Sequence, residues 1–317
     1  MSEMSRETRE ETREETSRAS GSSHQSTSHP TPRPASTLIL FASEPIAESD
    51  ARIEDTAHHS ATTSEVKVAL LRRSQSVRFL PGALVFPGGS LERDDDVWLR
   101  DQYAEKSIAE GSAIISRALS DHLAWGFSDE SSAARSLGAA LRECSEEAGL
   151  GGDRAPLNIR GLSCIGHWLT PEQLKARFDT YFWAAELIGP PPELTVDGGE
   201  IERGAWYTPQ EAINAYERGE VDLPAPTLCV LAELATLFGE GRSLSEVIQL
   251  LNAAAHATPI CPVLKREDEI RLYLPGDPCY SATRGDAPRL DSSSFWSVRA
   301  HYLERRAQRP TWERHHQ

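Results

Sequence analysis

A chain of 317 residues, 39% hydrophobic and 26% charged, holds enough material for one enlarged domain or two small ones. Its formal net charge of −15 argues against a broad nucleic-acid footprint, which needs a basic face, but leaves room for a small anionic substrate held by metal ions or local arginines. The five cysteines, Cys144, Cys164, Cys229, Cys261 and Cys279, include no Cys-x-x-Cys pair and suggest neither a zinc site nor a disulfide framework. They fit a reducing cytoplasm, and no apolar run approaches the roughly 18 residues of a membrane span.

Residues 1–34 combine a Thr-Arg-Glu-Glu repeat with Ser, His, Thr and Pro, and read as a disordered low-complexity tail. The stretch is too acidic for a transit peptide. Order is expected from about Ala35, with the apolar run Leu38–Phe41 as a short buried strand. A polar loop containing His58 and His59 follows, then a strand at "VKVALL" (66–71) and another at "ALVF" between two Pro-Gly turns. Val97 to about Phe127 has a helical pattern, with breaks expected at Gly111 and Gly126. A further helix spans about Ser132–Ala148 and ends at Gly149, where a left-handed cap belongs. Strands are expected in "LSCIGHWLT", "RFDTYFWAAEL" and "RGAWYTP", and helices at about Pro209–Arg218, Pro226–Phe238 and Leu244–Ala255. The mixture is α+β, without the regular alternation of a doubly wound sheet. Residues 286–317 read as a polar C-terminal tail.

The chemistry concentrates in "ALRECSEEAGL" (140–150). Glu143, Glu146 and Glu147 share one helix face, where like charges repel by roughly 0.2–0.5 kcal/mol per pair. A hard divalent cation such as Mg2+ takes carboxylates, waters and substrate phosphates as ligands, so the trio suits magnesium clamped on a phosphate group. Arg142 can brace Glu146 four residues on. The alternative is a solvated acidic helix face.

"RECSEEAGL" resembles the core of the Nudix box, Arg-Glu-apolar-x-Glu-Glu-x-Gly-apolar, with Cys144 and Leu150 at the apolar positions, and "FPGG" ending at Gly89 resembles its start. The family's glycine stands 14 positions before the arginine. Here Gly89 and Arg142 are 53 apart, so 39 residues interrupt the box. Counting forward from Gly89 puts the box's isolated glutamate at Asp95; counting back from Arg142 puts it at Ala134. The insertion, "LLRRSQSVRFLPGALVFPGG", "HWLTPEQLKARFDTYFWAA" and "LPGDPCY" are similar to the Nudix motif nineteen type, a coenzyme A diphosphatase-like branch. Arg73, Ser74, Arg78, Gly82 and Phe86–Gly89 also fit a pattern linked to coenzyme A-cleaving members.

The resemblance implies a Nudix fold over residues 35–285: a mixed sheet between helices, with a helical insertion at about 96–131 and extra C-terminal helices. It implies Mg2+ or Mn2+ held by Glu143, Glu146, Glu147 and Gly89, with Arg142 and Glu143 in the catalytic set. The substrate would be a small nucleotide, coenzyme A or an acyl-CoA, with no nucleic-acid or membrane partner and a possible homodimer. NADH, ADP-ribose or another nucleoside diphosphate derivative is the alternative substrate, and a non-catalytic nucleotide-binding module the alternative class. Arg73 and Arg78 are candidates for substrate phosphate, since guanidinium forks suit phosphate oxygens; their other reading is an exposed strand end or a structural ion pair. The family often draws a general base from a loop before a later Trp-bearing strand, which offers Glu200 or Glu202 ahead of Trp206, with Glu143 a further option. His167 reads as a hydrogen-bonded core residue, Cys144 as packing, and Trp168, Phe178, Tyr181, Phe182 and Trp183 mainly as core. The insertion is expected to form a helical lid or a dimer surface.

Overall fold

A computed structural model describes residues 30–44, 65–104, 109–152, 156–196, 198–253, 258–266, 270–275, 280, 302–305 and 312–315. Most of the expected N-terminal tail, His58, His59, Ile108, Cys279, Phe295 and Trp296 lie outside them.

The main sheet begins with β1 (Arg33–Glu44) and β2 (Glu65–Arg73), longer than the apolar runs that announce them because their ends pair with other strands. These two pair antiparallel only near one end, from Phe41↔Val68 to Glu44↔Glu65. Beyond that they splay, and the "ALVFPGGS" segment fills the gap. β3 (Leu84–Val85) pairs with β2, and β4 (Gly88–Ser90) pairs with β1 through Ser36↔Gly89 and Thr37↔Gly88. The Pro-Gly-Gly punctuation is therefore partly a strand. The chain wedges two glycines into the sheet, and at Gly88 no side chain could pass between its neighbours: a Cβ there would lie 2.5 Å from the carbonyl oxygen of Ser36.

On one face lie α1 (Asp95–Ala104), α2 (Ala109–Ser120) and α3 (Glu130–Ala148). Gly111 lies inside α2, not at a break; Gly126 does end a short 3-10 turn at 122–125, with φ 79°. α3 starts at the N-cap Asp129, whose carboxylate accepts from Ser132 N–H in a reciprocal capping box, and stops at Gly149 with φ 67°. Its apolar stripe, Ala133, Leu137, Ala140, Leu141, Cys144 and Ala148, is buried. Leu99, Leu119, Trp125 and Phe127 from the insertion join the same core. The insertion's inner face is thus a structural layer of the fold.

The sheet continues through β5 (Ile159–Leu169), β6 (Phe178–Leu187) and β7 (Ile201–Tyr207). β1 and β6 run parallel, β5 pairs antiparallel with β6, and β7 closes the free edge of β2. Helices α4 (Pro209–Glu217), α5 (Ala225–Gly239) and α6 (Leu244–Ala253) supply the second face, where Phe41, Val68, Leu70, Ile165 and Phe182 pack on Leu228, Leu231, Leu234 and Val247. The α+β expectation holds: a mixed sheet lies between helical layers, with the insertion on one side and the extra C-terminal helices on the other. A second sheet joins β8 (Val263–Arg266), β9 (Ile270–Tyr273), β10 (Tyr302–Arg305) and β11 (Trp312–His315), so two strands arise within the segment read as a polar tail.

One buried polar knot fastens α3 to the sheet. The hydroxyl of Ser136 meets Ser36 Oγ at 3.1 Å and accepts from Trp183 Nε1–H at 3.0 Å. Ser136→Ala strands the indole donor in the core and is expected to lower unfolding free energy by about 1–3 kcal/mol, read from urea denaturation. An unchanged midpoint would mean the indole finds another acceptor.

Candidate active site

The wedge brings two glycines under the glutamates of α3. Gly88 N–H donates to Glu147 Oε2 at 3.0 Å, and a Cβ on Gly89 would sit 2.3 Å from Glu143 Oε1. Gly89 is therefore a residue whose missing side chain makes room for a carboxylate.

Arg142 organises the cluster. Its Nη1–H groups reach Glu143 Oε1 at 3.1 Å and Glu146 Oε2 at 2.9 Å, Nη2 donates to the Ser90 carbonyl at 3.1 Å, and Nε donates to Asp95 Oδ1 at 2.7 Å. Asp95 is only 1% exposed, and its other oxygen accepts from Glu92 N–H at 2.6 Å. Of the two positions obtained by counting into the box, Asp95 is the one in contact with Arg142; Ala134 sits on α3 as a half-buried residue packed against the core. The two ends of the interrupted box meet because Gly138 lets α3 approach the first turn of α1: a Cβ there would fall 2.1 Å from the Asp95 carbonyl oxygen.

Burial of the Arg142 guanidinium would by itself favour its neutral form, but the Asp95 bond and the charges of Glu143, Asp95 and Glu146 hold its pKa above the ordinary value. Glu143 is shifted upward by burial, which outweighs the attraction of Arg142. Glu147 is pushed up to about 7, first by burial, with Glu143 and Glu200 adding repulsion while Gly88 N–H and Arg73 pull the other way. A buried carboxylate so poorly compensated has use for a cation.

Glu147 gives a signed prediction. Because its folded pKa is raised above the usual 4.5, ionising it costs the fold, and stability contributed by the protonated form is lost as pH rises from about 4.5 through 7. In the absence of divalent cations, Glu147→Gln is expected to gain on the native protein over that interval, by at most about 3 kcal/mol. Denaturation at pH 5 and pH 8 checks this; parallel behaviour of the two proteins would contradict it.

Arg73 and Glu200 reach the same region from β2 and the loop before β7. Arg73 Nη2 lies 3.3 Å from Glu200 Oε2, Nε–H donates to the Phe79 carbonyl at 3.0 Å, and Ser74 N–H donates to the Glu200 carbonyl at 2.8 Å. The Arg73 side chain is 15% exposed and committed to these partners, whereas Glu200 is 72% exposed. Arg78 is exposed on the loop that follows. Glu202 pairs instead with Arg72 at 3.1 Å.

The donor set of Glu143, Glu146, Glu147 and the Gly89 backbone is all oxygen and fits a hard divalent cation. Among the described residues no group of three His, Cys, Asp or Glu side chains is placed to hold a metal ion, and Arg142 Nη1 donates to both Glu143 and Glu146. Cys144 packs in the core with its thiol pushed up to about 12 by burial, which suits neither a ligand nor a nucleophile. His167 is buried, with Nε2 at 2.5 Å from Asp179 Oδ1 and its ring stacked on Tyr181. A cavity of about 1870 Å³, lined by Ser43, Glu65, Arg160, Glu186, Thr208 and Asn252 among others, lies at the opposite end of the sheet and contains none of the predicted site residues. Sequence reasoning placed the glutamates and Gly89 together, but missed Gly138 and left Asp95 undecided. A lone glycine inside the helical pattern "SLGAALRE" was the available signal for a close approach.

No protein-family model matches the chain. It is 27% identical over 281 residues to the acyl-coenzyme A diphosphatase NUDT19 of Xenopus laevis, covering 69% of this chain and 72% of that protein. It is 26% identical over 173 residues to the putative nudix hydrolase 7 of Caenorhabditis elegans, covering 53% of this chain and 56% of that one. Among solved structures, a NUDIX hydrolase from Alicyclobacillus acidocaldarius is similar with a TM-score of 0.42 and 21% identity, covering 64% of this chain and 91% of that chain. No helix among the described residues is long and apolar enough to cross a membrane. The alignment with the frog protein extends well beyond a nine-residue motif, so the box core is met in the setting of a chain similar to a Nudix diphosphatase over 69% of its length.

Proposed function

We propose that the chain is a divalent-cation-dependent diphosphatase acting on coenzyme A or an acyl-CoA. Water adds across the diphosphate bridge: its oxygen bonds to one phosphorus, the bridging oxygen leaves with the other. The products are 3′,5′-adenosine bisphosphate and (acyl-)phosphopantetheine. The observation that carries the reading is Arg142 holding Glu143, Glu146 and Asp95 at once, beside Glu147 on Gly88. The name of the frog relative supports the substrate class.

In this reading Glu143, Glu146, Glu147 and the Gly89 backbone hold Mg2+ or Mn2+, which when bound polarises phosphoryl oxygens and neutralises developing charge. Arg142 fixes the directions of two of the carboxylates. Glu200, held by Arg73 and close enough to act on Glu147 electrostatically, is assigned to orient water and take its proton, with Glu143 as the alternative. Arg78, exposed nearby, is assigned to the 3′-phosphate, while Arg73 positions the loop and Glu200. A cytoplasmic setting belongs to the same proposal and is supported by four buried free thiols, Cys144, Cys164, Cys229 and Cys261.

That internal commitment of Arg73 also favours a second reading, in which NADH or ADP-ribose is cleaved without need of a 3′-phosphate. Mass spectrometry of products decides between them, using coenzyme A, dephospho-coenzyme A, NADH and ADP-ribose with Mg2+ or Mn2+. The expected result is preferential release of 3′,5′-adenosine bisphosphate, lost in Glu146→Gln. Preferential cleavage of NADH or ADP-ribose would replace the coenzyme A assignment, and no cleavage of any would count against it.

A further inference from the structure

We infer that Phe79, backed by Phe178, is the platform on which the heteroaromatic base of the nucleotide substrate stacks. The inference rests on the diphosphatase reading and adds the part of the substrate that the carboxylates do not touch.

Four observations place it. Phe79 is 44% exposed and is the one aromatic among the large exposed hydrophobic residues in the described part of the chain. Its ring lies 5.3 Å from that of Phe178 at an interplanar angle of 51°, so Phe178 backs the ring while 44% of the residue stays open to solvent. The loop that presents it is fixed: Gly82 N–H donates to the Arg73 carbonyl, Arg73 Nε–H donates to the Phe79 carbonyl, and Leu80 takes φ 51°. Leu80 is the only non-glycine residue with positive φ in the described chain, and side chains rarely hold that conformation unless their surroundings impose it.

The fourth observation is position. The guanidinium that holds the Phe79 carbonyl also meets Glu200 and acts electrostatically on Glu147, so the backbone that carries the ring is anchored by the same arginine that reaches the carboxylates. Phe178 opens β6 at the end of the sheet where β1 pairs with Gly88 and Gly89. Arg78 precedes Phe79 in sequence and is exposed, so the same loop carries a guanidinium able to meet a phosphate. An open ring face suits a planar base, which gains its dispersion energy on one surface; an acyl chain needs enclosure on several sides.

The test uses the full chain and two readouts. Binding is followed by the fluorescence change of 1,N6-ethenoadenosine 3′,5′-bisphosphate, which carries the base but no diphosphate bridge to cleave. Turnover of coenzyme A is followed in parallel, with circular dichroism to show that each variant is folded. Phe79→Ala and Phe79→Leu are expected to weaken binding and raise KM roughly tenfold with kcat nearly unchanged, while Phe79→Trp retains both. Equal binding by the native protein and Phe79→Ala would overturn the inference. So would full recovery by Phe79→Leu, which would mark an apolar contact without stacking, or failure of the native protein to bind the probe. Phe79-dependent binding without turnover of any diphosphate would uphold the platform and refute the hydrolase reading.

Discussion

Replacing Asp95 by alanine is expected to lower stability by about 3–5 kcal/mol, the cost of leaving a buried charge without its partner. Arg142 is 8% exposed and Asp95 1%, and their contact at 2.7 Å joins residues on opposite sides of the insertion. The guanidinium would still have Glu143, Glu146 and the Ser90 carbonyl, which makes the lower end of that range the better expectation. Activity should fall with stability, but by a separate route, because an unanchored Arg142 no longer fixes two carboxylates. Denaturant unfolding and steady-state kinetics of Asp95→Ala and Asp95→Asn would separate the two. Asparagine keeps the shape and an acceptor oxygen, and should recover part of the stability while leaving the charge term absent. Native-like stability in both variants would show that the acidic helix face holds Arg142 unaided.

Gly89→Ala is expected to do the reverse: a rate loss of about 100-fold with little change in stability. The added methyl would stand 2.3 Å from Glu143 Oε1 and 2.5 Å from its Cδ. The carboxylate is the far end of a flexible side chain, so it can retreat by about 1 Å without disturbing the core, and misplacement on that scale can cost 10²-fold in rate. Gly89 has no positive φ, so alanine brings no backbone strain. The measurement is kcat with saturating Mg2+ beside thermal unfolding. A loss of stability without a loss of rate would mean that the glycine serves the wedge of β4 and not the carboxylate.

What the sequence made legible follows the range of the forces involved. α3 could be read with its glutamate face and its C-cap, because the apolar spacing and Gly149 act within a turn or two, whereas its N-cap at Asp129 places the start two residues before the expected Ser132. The fold class and the helices at 209–217, 225–239 and 244–253 were legible for the same reason. β4 was not, since Gly88 and Gly89 have low strand propensity and become a strand only where β1 and β2 splay. Gly111 was misplaced as a breaker because neighbouring helix formers carry α2 through it. Counting across an insertion gave two positions for one carboxylate, and only the fold, through Gly138, shows which of them touches Arg142. For Arg73 the sequence left phosphate binding and a structural ion pair both open, because its partners, Phe79 and Glu200, are set by a loop crest and a distant strand.

The split box has a consequence for how the molecule comes together. The Asp95 to Arg142 bond closes a loop of 47 residues, against 8 between the corresponding positions of an uninterrupted box, and the longer closure costs roughly 1.5 kcal/mol more in chain entropy. Arg142 is therefore tethered by a contact that exists only once α1 has docked beside α3, and any partial unfolding that releases the insertion also releases this side chain. Backbone amides of α1 and those flanking Gly89 should then exchange with solvent as one cooperative unit, with the same opening free energy, even though they belong to different elements. An insertion of this kind does not decorate the site but sets the stability of the site equal to its own.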